Sequence, residues 1–234
     1  MLFRSVGEAR GIAFARRLTY ELHIAWEPSA SPGQAGDANV VRKLLRVGGR
    51  PAKAAEEPGC MDPKAVSPEP LALLLPEHRH EYAFTFAGRA RVEGRATLRI
   101  DYKSVEPGLA FIEWRDDCVT VSLPGRLRGR VWVDEESDDV VRLDEQLIGL
   151  FDIPAPPEGS GFGRSPDMVI ERADSSIRYK PVAFHDPDET LMLPSSIESL
   201  TVIRGAGIPV LHKIQRFSEY KRFLADSHLV AEPK

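Results

Sequence analysis

The chain has 234 residues, of which 42% are hydrophobic and 28% are charged, and this composition is that of a globular domain rather than a disordered one. Its formal net charge at pH 7 is -4. Because no segment combines a basic stripe with regularly placed aromatic residues, we expect no nucleic-acid binding.

The two ends of the chain are predicted to lie outside the folded domain. Residues 1–15 precede the first strong strand pattern and lack the long apolar core of a signal peptide, so we interpret them as a truncated or non-native leader. We assign residues 16–225 to a single β domain and residues 226–234 to a flexible tail. No stretch of about eighteen consecutive apolar residues is present, so we predict no transmembrane segment.

The first part of the domain predicts two strands and a short helix. Residues 18–26 alternate between apolar and polar side chains, as a half-buried strand requires. A loop of small residues, glycine and proline leads to a second strand over 40–47. Ser67 and the prolines after it predict a helix that stops at Pro76, and a second helix is expected at the C-terminus, over 219–229.

A series of short strands separated by turn residues occupies the rest of the chain. This rhythm favours a meander, so we predict a mainly β fold: a curled antiparallel sheet or incomplete β-barrel with one or two short helices as plug or lid. The longest internal loop covers 153–167. The predicted strands cover residues 82–86, 96–102, 110–114, 118–123, 127–133, 140–150, 168–172, 176–184, 196–203 and 210–217.

The stretch GRVWVDEESDDVVRLDE, residues 129–145, holds seven carboxylates and could be an acidic site or a turn. Val131 alternates with polar neighbours as in a strand, and Val141 and Leu143 are predicted to share one face of the return strand. Residues 135–139 are turn formers without the glycine that a calcium loop usually has at its sharp bend. We therefore favour a hairpin with a solvated acidic tip over a metal site.

Five other clusters are interpreted as structural rather than catalytic. Residues 185–189 could supply a carboxylate pair, but the Asp-Pro step favours a turn. The histidines of 78–80 lack zinc spacing, the serine pairs at 175–176 and 195–196 have no nucleophile-elbow context, and the glycines of 159–163 follow no strand-to-helix unit. We therefore predict no catalytic residue, no metal and no cofactor. A metal-dependent hydrolase on the acidic loops is the least favoured alternative.

The chain has two cysteines, Cys60 and Cys118, without CxxC spacing. If the protein is exported, they are candidates for a disulfide that ties the irregular segment after residue 50 to the sheet. The alternative is two unpaired thiols, as is usual in the cytosol.

Large apolar side chains on alternating strands are the candidate binding residues. A curled sheet that is too open to be filled by its own side chains can hold an apolar ligand. The alternative, a packed core under a helix, fits the sequence equally well. The candidate lining residues are Trp26, Tyr82, Phe84, Phe86, Trp114 and Trp132.

The segment FAGRARVEGRATLRIDYKS, the tryptophan-bearing strand IEWRDDCVTV and GRVWVDEESDDVVRLDE together resemble the central meander of LolA/LolB-like lipoprotein-localisation-factor proteins. The resemblance covers about residues 82–151 and is nearest to uncharacterised exported bacterial proteins of that shape. It implies an incomplete barrel plugged by helices, a periplasmic or other exported location, and an apolar interior that holds acyl chains. The N-terminal helix of those carriers, with its lid-anchoring arginine, has no counterpart in this chain.

The sequence therefore predicts a non-enzymatic exported domain that binds a lipid, a lipidated protein or another apolar ligand in a concave sheet. The main alternative is a scaffold module that holds another envelope protein through its sheet edges and the 153–167 loop without any ligand. We expect a monomer.

Overall fold

A computed structural model describes residues 2–4, 17–27, 37–53, 71–115, 118–153, 168–185, 187–205 and 210–223. Within these ranges the protein is mainly β, and its antiparallel sheets form no closed barrel, which confirms the predicted curled-sheet class. Cys60, the tail 226–234 and the loop residues 154–167 lie outside the described ranges. The strands are β1 (Leu2–Arg4), β2 (Leu18–Glu27), β3 (Asp37–Val47), β4 (Arg50–Pro51), β5 (Tyr82–Val92), β6 (Arg95–Ser104), β7 (Phe111–Arg115), β8 (Cys118–Ser122), β9 (Leu127–Asp134), β10 (Val140–Leu147), β11 (Phe151–Ile153), β12 (Met168–Phe184), β13 (Glu189–Arg204) and β14 (Val210–Arg216).

The main sheet is a meander in the order β14-β13-β12-β10-β9-β6-β5, with the short β11 paired to β12. Neighbours in this sheet follow one another along the chain, apart from β7 and β8, which lie between β6 and β9, and β11, which lies between β10 and β12. The pairs β5–β6, β9–β10, β12–β13 and β13–β14 are consecutive strands, as short antiparallel connections favour. The predicted meander is thus confirmed.

The main sheet is curled rather than flat. The turn between β5 and β6 carries Glu93, whose carboxylate lies 3.2 Å from the guanidinium of Arg178 on β12. Three strands separate β5 from β12 in the sheet, so this salt bridge requires the hairpin end to bend across it. A register shift between Phe86 and Arg89 in β5 supplies one such bend, since a bulge increases local twist.

The remaining described strands form two smaller sheets of three strands each. One has the order β2-β3-β4 and contains both predicted N-terminal strands, although β3 begins at Asp37 rather than at residue 40. The other has the order β1-β8-β7, in which the three-residue β1 pairs with β8.

The helix predicted to stop at Pro76 is replaced by two short 3-10 helices, Ala72–Leu74 and Pro76–Glu81. Pro76 begins the second helix instead of ending the first, because its fixed φ suits a first helical position. At the C-terminal end residues 217–223 form no helix, and 224–229 lie outside the described ranges. No helix in the described part is long and apolar enough to cross a membrane.

The two strands predicted over 168–172 and 176–184 are one strand of 17 residues, β12. The polar run that suggested a break, around Asp174, pairs with β10 on one side and β13 on the other. Pairing with both neighbours therefore overrides a weak local strand preference. A register shift between Ile170 and Arg172 adjusts the strand without ending it.

Two hydrophobic clusters form the described core. In the first cluster, Leu73 is buried and Leu71 packs against it, and both residues come from the segment of the first 3-10 helix. In the second cluster, Val121 on β8 is buried, and its neighbour Ile112 on β7 packs against the cluster. The buried members of the first cluster are Leu73, Tyr102, Val131, Leu143, Ile177 and Tyr179, and those of the second are Val121, Ile153, Ile170 and Ile203.

Candidate functional site

The main sheet has two chemically different faces. Consecutive residues of a strand alternate between faces, and residues directly opposite each other on paired strands share one. We call the side that carries Leu143 and Ile177 the apolar face, because both side chains are buried in the first cluster. The side that carries Arg142 and Asp144 is called the charged face.

One row across the apolar face is mostly polar. Each member lies directly opposite the next in the antiparallel register, one residue on each strand. From β5 to β14 this polar row consists of Phe84, Tyr102, Gly129, Glu145, Ser175, Ser199 and Lys213. The next row, two residues along each strand, is apolar and consists of Ile100, Val131, Leu143, Ile177 and Ile197.

Glu145 is the acidic member of the polar row and is half-buried. Its Oε1 accepts a hydrogen bond from the Tyr102 hydroxyl at 2.9 Å, and its Oε2 accepts one from the Ser175 hydroxyl at 3.4 Å. Desolvation raises the pKa of this carboxyl, and the two hydroxyl donors lower it in part. No described basic side chain forms an ion pair with it.

Gly129 is what allows Tyr102 to reach Glu145 across strand β9. A Cβ atom at position 129 would lie 2.6 Å from the tyrosine ring and hydroxyl and 2.0 Å from the carbonyl oxygen of Asp144. The absent side chain therefore leaves the space through which the ring crosses the strand. The contact depends on residues from three different strands.

Two further tyrosines, one buried in the first cluster and one packed against it, feel the charge of Glu145. Tyr179 is only 5% exposed, and its hydroxyl is buried without a hydrogen-bond partner among the described residues. Burial raises the pKa of Tyr179, and the negative charge of Glu145 raises it further. The pKa of Tyr82 is raised by burial first, then by Glu81 and Glu145.

Lys213 ends the polar row at the sheet edge. Burial lowers the pKa of its ammonium group, and the nearby guanidinium of Arg42 lowers it further. The row therefore carries an acid near its middle and a partly desolvated base at its end.

The charged face carries arginine–aspartate ion pairs in which each guanidinium donates to both oxygens of its carboxylate. Arg130 donates from Nε and Nη2 to the two oxygens of Asp101, at 2.5 and 3.0 Å. Arg142 likewise donates from Nε and Nη2 to the two carboxylate oxygens of Asp144, at 2.9 and 2.7 Å. The hydrogen bond from Arg130 holds the pKa of Asp101 below its usual value.

Trp132 lies on the charged face, so its predicted place in the apolar lining is wrong. It lies directly opposite Arg142 on β10 and Arg99 on β6. The guanidinium carbons of Arg142 and Arg130 are 4.6 and 5.8 Å from its ring, so cation–π contacts cover it. With 9% exposure, this tryptophan is a structural part of the charged face.

Three of the other predicted lining residues lie on the apolar face. The ring centroids of Tyr82 and Phe84 lie 5.9 and 6.2 Å from that of Tyr102. Phe86 lies opposite Ile100 on the same face and is 64% exposed. The remaining two, Trp26 in β2 and Trp114 in β7, have side chains outside the described part of the structure.

The acidic stretch 129–145 is a hairpin, as predicted. Asp134 accepts hydrogen bonds from the backbone amides of Glu136 and Ser137, which lower the pKa of its carboxyl. One detail of the predicted alternation is wrong. A register shift at Val141 places Val140 opposite Val133 and against the first cluster, so Val140 rather than Val141 shares the face of the buried leucine at 143.

The remaining clusters bring no metal-binding group together. Within the described ranges, no three of His, Cys, Asp and Glu are close enough to hold an ion. His185, Pro187 and Asp188 lie in the predicted turn between β12 and β13, Glu189 begins β13, and Asp186 is outside the described ranges. His78 lies in the second 3-10 helix, 2.8 Å from Glu81. The disulfide predicted for Cys118 depends on Cys60, which is not described.

Sequence reasoning missed Glu145, Tyr102, Ser175 and Tyr179 as members of one site. For Glu145 a signal existed, because it lies two residues from both Leu143 and Leu147 and must face the same side. The others gave no such signal. Tyr102 is 43 residues away in the chain, and its approach depends on the strand order.

No protein-family model, no curated protein and no solved structure matches this chain. The resemblance to LolA/LolB-like proteins therefore stays a prediction.

Proposed function

We propose that this protein is a non-enzymatic domain that binds a lipid, a lipidated protein or another apolar ligand against the apolar face of its curled sheet. The observation that carries the proposal is the exposure of Phe86 on that face. Its neighbours Phe84 and Tyr82 are half-buried, although they pack on the first cluster. An aromatic surface that continues from a core into solvent is typical of an apolar binding site.

The described elements cover the apolar face in two separate places. Leu71 and Leu73 cover the first cluster, and Val121 with Ile112 covers the second. The polar row lies between the two clusters along the strand direction, with Glu145 near its middle. An apolar chain on this face would thus lie beside a few fixed polar groups, the usual composition of a small-molecule site.

An exported, cell-envelope location is part of this proposal and is supported by the resemblance to lipoprotein carriers. The same resemblance suggests an acyl chain as the apolar ligand. The proposal includes no catalytic step and no cofactor.

Uptake of N-phenyl-1-naphthylamine, an uncharged apolar fluorophore, tests the proposal with two matched variants. Phe86→Glu places a charge on the apolar face, whereas Ile214→Glu places one on the edge strand β14, at a side chain that is 52% exposed. We expect Phe86→Glu to abolish the fluorescence rise and Ile214→Glu to leave it unchanged. The proposal fails if the unmodified protein gives no rise, or if both variants bind the fluorophore as well as it does.

A second candidate function is an interaction module for another envelope protein. The observation in its favour is the edge strand β14, where Val210 and Ile214 are each 52% exposed. Among the described strands, β14 pairs with β13 alone, so its outer edge can accept a further strand. In this case Ile214→Glu would abolish capture of the partner from envelope extracts, and Phe86→Glu would not.

A further inference from the structure

The polar row points to the chemistry of the ligand's head group. We propose that Glu145 and Tyr179 bind the cationic, hydrogen-bond-donating head of an amphiphile whose chain lies on the apolar face. This inference rests on the proposed function and specifies its ligand class as an alkylammonium-type amphiphile rather than a fatty acid.

Glu145 has acceptor capacity that the described residues leave unused. A carboxylate offers about four lone-pair positions for hydrogen bonds. Tyr102 donates one good hydrogen bond at 2.9 Å, while the Ser175 contact at 3.4 Å is long for an O–H donor. An ammonium head carries up to three donors, so it fits the remaining positions.

The charge of Glu145 also lacks a partner on its own face. Its pKa is raised chiefly by desolvation, with no basic side chain among the causes. A half-buried carboxylate without a cation is costly, and a cationic ligand would provide the missing counter-charge in a region of low dielectric. A carboxylate head would instead meet like charge at short range.

Tyr179 is an independent indication of a ligand at this place. Its hydroxyl is buried and has no hydrogen-bond partner among the described residues, which costs free energy in the unbound protein. Tyr179 belongs to the same buried cluster as Tyr102, whose hydroxyl donates to Glu145, and the negative charge of Glu145 raises the pKa of the Tyr179 hydroxyl. A head group at Glu145 that also contacts Tyr179 would satisfy two groups, one on β10 and one on β12.

Two charged positions in the polar row predict different head groups. Lys213, at the β14 edge, would attract an anionic head, whereas Glu145 would attract a cationic one. Strands lie about 4.8 Å apart, so three strand steps separate the two positions by roughly 14 Å. A small head group can therefore occupy only one of them, and the aromatic side chains lie nearer Glu145.

Three amphiphiles of equal chain length separate these possibilities: dodecylamine, 1-dodecanol and dodecanoate. Each is titrated below its micelle concentration, at pH 7.5, as a competitor of N-phenyl-1-naphthylamine on the full chain. We expect dodecylamine to bind about tenfold more tightly than dodecanoate, as one charge-assisted contact predicts, with 1-dodecanol between them.

Three variants locate the effect. Glu145→Gln should remove most of the preference for the amine, and Asp101→Asn, which removes a carboxylate from the charged face, should leave it intact. Tyr179→Phe should weaken amine binding while leaving the unbound protein at least as stable, a pair of effects that a residue with a purely structural role would not give.

Equal binding of the three amphiphiles, or an amine preference that survives Glu145→Gln, overturns the inference but leaves the proposed function standing. Preferred binding of dodecanoate also overturns it and moves the head group to Lys213. If none of the three amphiphiles binds, the proposed function itself fails.

Discussion

Asp144 and Glu145 are consecutive carboxylates on β10 that backbone alternation places on opposite faces of one sheet. Asp144, on the charged face, accepts two hydrogen bonds from Arg142 and a third from Ser176 at 2.7 Å. Glu145, on the apolar face, receives hydroxyl donors only, and desolvation raises its pKa. Two neighbouring acids of the same acidic stretch thus differ because of the face on which they lie.

This difference indicates where binding energy is available. The ion pairs of the charged face already satisfy one another, so a ligand there would have to displace an existing partner. On the apolar face Glu145 and Tyr179 keep hydrogen-bonding capacity in surroundings that exclude water, where a new contact is stronger.

Truncation of the apolar face at its centre should cause the largest loss of stability. Leu143 is fully buried, at 0% exposure, so Leu143→Ala should lower the free energy of unfolding by about 2–5 kcal/mol in urea titrations. Leu109→Ala is the matched control, because that leucine is 93% exposed and its loss should change the free energy by less than about 0.5 kcal/mol. Equal losses in the two variants would show that the first cluster is not the core of the domain.

A side chain at position 129 should disturb the site and the sheet together. In Gly129→Ala the new Cβ would collide with the Asp144 carbonyl and with Tyr102, so we expect a loss of about 1–3 kcal/mol on unfolding. Displacement of the Tyr102 ring should also change the near-ultraviolet circular dichroism of the folded protein. If the variant is as stable as the parent and its spectrum is unchanged, the Tyr102 side chain does not pass over Gly129 to reach Glu145.

Removal of single hydroxyl groups should have opposite effects at two tyrosines. Tyr102→Phe removes a hydrogen bond to Glu145 and should lower the free energy of unfolding by about 1 kcal/mol. Tyr179→Phe removes a buried hydroxyl without a partner and should raise it by up to roughly 1 kcal/mol. Thermal denaturation of both variants measures the signs, and destabilisation by Tyr179→Phe would show that its hydroxyl is already satisfied.

The smallest effect is a pair of opposite pH dependences. The pKa of Glu145 is raised on folding, so its ionisation destabilises the fold as pH rises from the ordinary glutamate value through the folded pKa. Glu145→Gln should therefore gain stability relative to the parent with increasing pH. The pKa of Asp101 is lowered on folding, so its stabilising ionisation is present above the ordinary aspartate value and is lost as pH falls through the folded pKa.

Asp101→Asn is thus expected to be less stable than the parent at neutral pH, by no more than about 1 kcal/mol, because this ion pair is partly exposed. The deficit should shrink below pH 4. Urea titrations of both variants between about pH 3 and pH 8 test the two slopes. Slopes of the same sign would show that the two faces impose the same environment on their carboxylates.

The fold class followed from local information, and the site did not. Alternation and turn residues predicted the β9–β10 hairpin, because each strand contains its own pattern and pairs with its neighbour in sequence. The same alternation places Trp132 and Val131 on opposite faces of β9. Trp132 therefore cannot line the apolar face that carries Val131. Composition also suggested a break near Asp174, where pairing on both sides keeps β12 continuous.

The candidate site could not be predicted because its contacts are non-local. Glu145 was noted only as one of seven carboxylates in the stretch 129–145, whereas its position two residues from both Leu143 and Leu147 places it on the apolar face. The hydrogen bond from Tyr102 further requires that β9 lie between β6 and β10 and carry glycine at position 129. Neither condition can be inferred from residues adjacent in sequence.

Native mass spectrometry of the purified protein, before and after extraction with organic solvent, tests whether the apolar face binds an amphiphile. We predict a discrete adduct of lipid size that extraction removes and that the Phe86→Glu variant does not carry. The bare mass in both samples, with no uptake of added dodecylamine, would contradict the claim that the apolar face binds an amphiphile.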